Sequence, residues 1–181
     1  DRLEDQIFRM EYLVASLRKK ARLDAGTLEL EQENLDAASV IIEACEPLEP
    51  QIRAREQTLS IPQQIQACFK GDRHWTAEAL SNLIKNCSEH AEEGGSITIK
   101  YHQNPLYTEI LVADNGPGFD EEDIPHLFQR FYRGKNAGRD SIGIGLALSK
   151  SLIERQNGTL RADNGQSGGA CFTVRFYTDS R

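Results

Sequence analysis

Three short blocks punctuate the middle of this chain in a fixed order: NLIKNCSEHA at 82–91, DNGPGF at 114–119 and GIGLAL at 143–148. They constrain the fold more than any bulk property, because each demands a different local geometry. Asn82 and Asn86 stand four residues apart, so on a helix both amides lie on one face. Asp114 closes an apolar run and is followed by glycines, so it is delivered at a strand end and enters a turn. Gly143 and Gly145 open an apolar segment, which leaves the first N–H groups of a helix uncovered.

The remaining pattern supplies the frame. Leu3, Ile7, Met10, Val14, Leu17 and Ala21 recur at spacings of four and three, the heptad seam of an amphipathic helix. Arg2, Glu4, Arg9, Arg18, Lys19 and Lys20 fill its other faces as solvated positions. The seam calls for a partner helix or a second copy of the chain; the alternative is a helix folded back on its own domain. Gly26 suits the left-handed position that ends such a helix, and residues 27–35 form a linker. Asp36 is placed to cap a helix through Val40–Cys45. Strands are expected at 57–61 and 65–69, then a Gly71-Asp72 turn and a helix over 76–91. Strands at 96–103 and 107–113, a short helix at 121–128 and a polar loop at 129–142 come next. A helix at 145–156 and strands at 159–163 and 170–177 complete the chain. The predicted fold class is α/β: a two-layer sandwich with a mixed sheet and helices on one face, plus the N-terminal amphipathic helix. The absence of regular strand–helix alternation argues against a doubly wound sheet.

At 181 residues the chain accommodates one domain and a short extra element. A net charge of −7 argues against a nucleic-acid duplex or an anionic membrane as main partner. The four cysteines lack paired CxxC spacing and read as reduced, mostly buried thiols rather than a zinc or disulfide framework. No stretch approaches the length of a membrane span.

Together the three blocks describe a nucleotide pocket. Amide oxygens help hold Mg²⁺, a carboxylate accepts from the adenine amino group, and a glycine-opened helix start receives phosphates. In order and spacing they resemble the ATP-binding catalytic domain of bacterial sensor histidine kinases, over roughly residues 36 to 178. The segment before it resembles the end of that family's dimerisation hairpin. The resemblance divides the chain into a hairpin helix (1–26), a linker (27–35) and a catalytic domain (36–181). It implies ATP and Mg²⁺ as cofactors, with Asn86 as the principal metal ligand, Asn82 beside it in catalysis and His90 near the nucleotide. Asp114, Gly116 and Gly118 correspond to the adenine-binding block. Phe128, Arg130, Phe131, Tyr132 and Arg133 resemble the family's F box at the base of an ATP lid. There Arg130 and Arg133 are the catalytic cations and Tyr132 a nucleotide contact. Gly143, Ile144, Gly145 and Leu146 complete the cofactor site, and residues 134–142 form the lid. Gly168 and Gly169 resemble the closing glycine element, either as a hairpin turn or as ligand contacts. Glu89 departs from the pattern, which often has a basic residue there; Ser141 and Ile142 stand where Gly and Thr are frequent.

Gyrase-like ATPases, related chaperones, mismatch-repair ATPases and anti-sigma serine kinases share this pocket, with a catalytic glutamate four residues before the Mg²⁺ asparagine. Here that position is Asn82, an amide that cannot act as a general base. This favours the histidine-kinase branch, whose nucleophile is a neutral imidazole on the hairpin. None of His74, His90, His102 and His126 sits in an S/T-H-E-x-R context, so the phosphoacceptor is expected ahead of residue 1. The implied partners are that hairpin, a response-regulator receiver domain and a second copy in a homodimeric parent. The implied location is a cytoplasmic domain of a membrane-anchored parent. A nucleotide-gated interaction module or scaffold with a degenerate pocket is the rival reading, and a gyrase-like ATPase the third.

Overall fold

The computed structural model describes residues 2–61, 66–134, 143–166 and 168–178. The lid residues 135–142, with Ser141 and Ile142, lie outside them. Helix α1 (Arg2–Asp24) leads to β1 (Glu33–Asp36), α2 (Ala37–Cys45), a 3₁₀ turn and α3 (Glu49–Ala54). Then come β2 (Thr58–Ser60), β3 (Cys68–Gly71), α4 (Arg73–His90), β4 (Ser96–Gln103) and β5 (Tyr107–Asp114). A 3₁₀ turn at Ile124–His126, α5 (Gly145–Glu154), β6 (Gly158–Asn164) and β7 (Ala170–Tyr177) close the order.

The main sheet runs β2-β4-β5-β7-β6, with β2 parallel to β4 and the other pairs antiparallel. This is the mixed sheet expected. Period-2 alternation decides its faces: Ile97, Ile99 and Tyr101 on β4, Ile110 and Val112 on β5, and Phe172, Val174 and Phe176 on β7 are all buried beneath the helices. Phe176 stacks on Phe69 with ring centres 4.3 Å apart, tying β3 to the same core. Among the described residues, no helix is long and apolar enough to cross a membrane.

Several boundaries moved for identifiable reasons. Helix α4 starts at Arg73, not near Thr76, because Asp72 is its cap: the carboxylate accepts from Trp75 N at 2.9 Å. The other Asp72 oxygen accepts from Glu31 N at 2.9 Å, anchoring the linker. Part of that linker is strand β1, paired with β3. The helix expected at 121–128 is only the three-residue 3₁₀ turn, since Pro125 removes a donor and crowds the preceding turn. Asp36 caps α2 as expected, accepting from Ser39 N at 2.9 Å.

Helix α1 ends in a Schellman arrangement, with Thr27 N donating to Arg22 O at 3.0 Å, Gly26 N donating to Leu23 O at 3.1 Å and Gly26 at φ 68°. It does fold back on its own domain, yet not through its apolar seam. Leu3, Ile7, Met10 and Val14 stay 70, 51, 66 and 62% exposed. It docks through Ser16, Lys20 and Leu23, which are buried; Glu4 and Arg18, read as solvated, are exposed, whereas Lys19 and Lys20, read likewise, take part in docking. Lys19 pairs with Glu78 at 2.7 Å and sits over Trp75, Lys20 is buried beside Asp24, and Arg155 donates to Leu23 O at 2.8 Å. The contact with Lys20 holds the Asp24 carboxyl below the usual carboxylate range.

The cysteines are free, but only Cys45 and Cys87 are buried. Burial pushes the Cys45 thiol up to about 11. Burial, and then the Asp114 carboxylate, raises Cys87 well above its ordinary value. Thiolate is the reactive form, so in the native protein at pH 8 a disulfide reagent should titrate only Cys68 and Cys171. Cys171 should lag, because burial and Asp163 raise it too. All four should react in guanidinium; a third fast thiol in the native state would contradict this burial pattern.

Candidate nucleotide-binding site

Helix α4, the loop after β5 and the start of α5 enclose one cavity. On α4 the core side carries Leu80, Leu83, Ile84 and Cys87. Asn82, Asn86 and His90 follow one another at intervals of four on the adjoining face and line the cavity. Asn86 Oδ1 is buried and has no hydrogen-bond donor among the described residues. Buried polar atoms are seldom left unpaired, so each such atom needs an explanation.

Asp114 is the last residue of β5 and takes its inward face, in phase with Ile110 and Val112. Its Oδ1 accepts from Gly116 N at 2.8 Å and from Ala170 N at 3.2 Å. Its Oδ2 is buried and lacks a hydrogen-bond partner among the described residues. The carboxylate is thus fixed by two backbone amides with the Cys87 thiol beside it, and it is not itself among the residues that line the cavity. Gly116 does not line the cavity but lies against His90 O, where a Cβ would come within 2.6 Å.

Asn164, which no motif indicated, and the Gly168–Gly169 element, which forms a hairpin turn, hold this block in place. Asn164 on β6 clamps Phe119, accepting from its N–H at 2.7 Å and donating to its carbonyl at 3.0 Å. Gly118 is at φ 78°, and its Cβ would strike the same asparagine. Gly168 and Gly169 close the β6–β7 hairpin, and Gly169 lies so close to the Asp114 carbonyl that no Cβ fits between them. Gly169 therefore backs the carboxylate from behind.

At the opposite end the cavity is bounded by Gly143, Ile144, Gly145 and Leu146. Helix α5 has no side-chain cap among the described residues, and the positive end of its dipole faces an anion favourably. Gly143, at φ 75°, packs on the Phe131–Tyr132 backbone and accepts from Phe131 N at 2.9 Å. Tyr132 and Arg133 also line the cavity, and Tyr132 donates to Asp123 Oδ1 at 2.6 Å. Arg130 goes elsewhere: its guanidinium lies 3.7 Å from Asp24 Oδ2 at the end of α1. Of the two arginines singled out in the sequence, Arg133 alone is brought to the cavity. The lining residues that the sequence did not single out are Tyr12, Lys85, Asp120, Asp123 and Leu127. The aromatic ring off the heptad seam was the available signal for the first.

Residues 71–180 match the family described as "Histidine kinase-, DNA gyrase B-, and HSP90-like ATPase". The sensor histidine kinase TrcS of Mycobacterium tuberculosis is 30% identical over 96% of this chain and 35% of its own length. The sensor histidine kinase YvrG of Bacillus subtilis is 38% identical over 60% of this chain and 19% of its own. This chain thus spans about a third or less of these curated relatives. Among solved structures, the Acinetobacter baumannii histidine kinase AdeS superposes with a TM-score of 0.81 at 23% identity, over 99% of this chain and 83% of its own. At that identity the likeness is one of fold, and it extends through the N-terminal helix. The chain belongs to the histidine kinase-, DNA gyrase B- and HSP90-like ATPase family, as an ATP-binding catalytic domain of the histidine kinase type.

Proposed function

We propose that residues 36–181 position Mg-ATP for transfer of its γ-phosphoryl group to a histidine on a dimerisation hairpin, of which α1 is the second helix and 27–35 the linker. The observation that carries this reading is Asn86 Oδ1, buried in the cavity wall and without a donor among the described residues; a second such oxygen, Asp114 Oδ2, lies two residues from Gly116, which packs on the carbonyl of the lining residue His90. Asp114 accepts the adenine amino group, with Gly116 and Gly118 allowing the base to approach. His90 borders the same end, and Tyr132 contacts the nucleotide from the lid base. The phosphates lie against Gly143–Leu146 at the positive end of α5.

Mg²⁺ fits the residues present. It takes oxygen ligands and keeps waters and substrate phosphates, so one dedicated amide oxygen suffices. Asn86 Oδ1 would hold it, and its charge would offset that developing on the β- and γ-phosphates. Arg133 supplies a permanent cation from the lid side. Asn82, one turn before Asn86, orients by hydrogen bonding rather than by taking a proton, because an amide has no basic lone pair to offer. An imidazole nucleophile brings its own lone pair and makes no such demand on this domain. Phosphoryl transfer asks chiefly for positioning and charge neutralisation, and these residues supply both.

The phosphoacceptor is a histidine outside these 181 residues. In the parent, the partners are a second copy and a response-regulator receiver domain, and the domain works on the cytoplasmic side of a membrane-anchored protein. With radiolabelled Mg-ATP, this chain should label the parent's separately supplied hairpin with acid-labile, alkali-stable phosphate and acquire none itself. Nucleotide binding without transfer would replace the kinase by a nucleotide-gated module. Rapid steady hydrolysis by the isolated chain would favour a gyrase-like ATPase.

A further inference from the structure

Helix α1 touches the cavity at its rim, and there it meets a cation that none of the three motifs claims. Tyr12 on α1 and Lys85 on α4 both line the cavity. The Lys85 ammonium lies 5.0 Å from the centre of the Tyr12 ring and 3.8 Å from Glu89 Oε1. This corner adjoins the start of α5: a Cβ on Gly145 would lie 3.8 Å from Asn82 Cγ and 3.8 Å from the Tyr12 hydroxyl oxygen. Positions 82, 85, 86 and 89 occupy neighbouring rows on one side of α4. The four-carbon stem of Lys85 can therefore carry its charge across the Asn82–Gly145 gap.

Charge balance gives this lysine a task. Glu89, also in the lining and 3.8 Å from the Lys85 ammonium, adds a carboxylate to the cavity wall, where it repels an incoming anion. Lys85 is the α4 cation beside it. Its two contacts, a π face and a partly exposed carboxylate, are weak and solvent-screened. A polyphosphate offers a stronger, charge-assisted partner.

We propose that Lys85 binds the polyphosphate of the nucleotide, and that Tyr12 competes for the same ammonium, so that nucleotide binding and docking of α1 oppose one another. The proposal rests on the ATP-site reading. Linkage is reciprocal: nucleotide must weaken the docking of α1 by the same factor by which that docking weakens nucleotide binding, so loss of the Tyr12–Lys85 contact tightens nucleotide binding. Trp75, the single tryptophan, reports on the docked helix, since Lys19 lies 5.6 Å above its ring.

The test is calorimetry with Mg-ATP and with adenosine on the whole chain, comparing Lys85→Met, Tyr12→Leu and the double variant. Both substitutions keep most of the side-chain bulk, so packing survives. Lys85→Met should weaken ATP about tenfold, the worth of one charge-assisted contact, and leave adenosine unchanged. Tyr12→Leu should tighten ATP about two- to fivefold, the scale of an exposed cation–π contact, and should do nothing once Lys85 is gone. Tryptophan emission should shift on ATP addition to wild type and already be shifted in Tyr12→Leu. Unchanged ATP affinity in Lys85→Met would overturn the proposal. So would a Tyr12→Leu effect that persists without Lys85. Failure of wild type to bind either ligand would remove the ATP-site reading and this proposal with it, whereas failure of the cycle alone leaves that reading intact.

Discussion

Asp114→Asn should abolish tight nucleotide binding while leaving the apo fold as stable as wild type. Asparagine keeps the shape and one acceptor oxygen, so the bonds from Gly116 N and Ala170 N to Oδ1 survive. What changes is the second atom. Oδ2, the orphaned acceptor, becomes an NH₂ that points its own hydrogens at the adenine amino group. Two donors then face each other in a buried site, and a site built around a hydrogen bond rejects a mismatched partner strongly. We expect a loss of at least about a hundredfold in ATP and ADP affinity. Without nucleotide, the substitution removes a buried charge lacking a second partner, so thermal stability should not fall. Calorimetry for binding and circular dichroism for melting separate the two effects. Retained affinity in a natively folded variant would remove Asp114 from the adenine role.

Much of the candidate site was legible because its parts obey local rules. Asn82, Asn86 and His90 share a helix face through a four-residue spacing, and Asp114 is buried because it continues the two-residue alternation of Ile110 and Val112. Gly143 and Gly145 mark a helix start by their own conformational freedom. The mixed sheet with helices on one face followed from the same periodicities. Contacts between segments distant in sequence carry no such mark. Nothing in the hairpin residues shows that Asn164 will grip Phe119, or that Gly169 will press on the Asp114 carbonyl. Helix α1 misled for a related reason. Its heptad seam reports where most apolar side chains lie, whereas its docking uses Leu23 and Ser16, which lie off that seam, with Lys19 and Lys20, which read as solvent-facing. Arg130 was grouped with Arg133 by proximity along the chain, yet a turn in which Phe131 adopts φ 62° sends the two in different directions.

Gly169→Ala should be among the most damaging single-methyl additions in this chain, and its neighbour supplies the control. Gly168 and Gly169 share nearly the same φ, 86° and 81°, so an alanine pays a positive-φ penalty at either position, about 1–2 kcal/mol. Their surroundings differ. A Cβ on Gly168 meets nothing within 4 Å, whereas one on Gly169 overlaps the carbonyl of Asp114. That neighbour is backbone, held in register by the β5–β7 ladder through Ala113 and Cys171, and cannot swing aside as a side chain would. Relieving the overlap means parting the two strands at the site, and overpacking of this kind costs about a further 1–3 kcal/mol. Gly168→Ala should therefore lower the melting temperature by only a few degrees, and Gly169→Ala by roughly 6–15 °C for a domain of this size. The damage should reach binding as well. Ala170, whose N–H fixes Asp114 Oδ1, is the next residue, so a displaced strand releases the carboxylate. ATP affinity measured well below the melting transition should fall in Gly169→Ala and hold in Gly168→Ala. Equal effects of the two substitutions would mean that strain at positive φ accounts for both, and that Gly169 gives the adenine carboxylate no support.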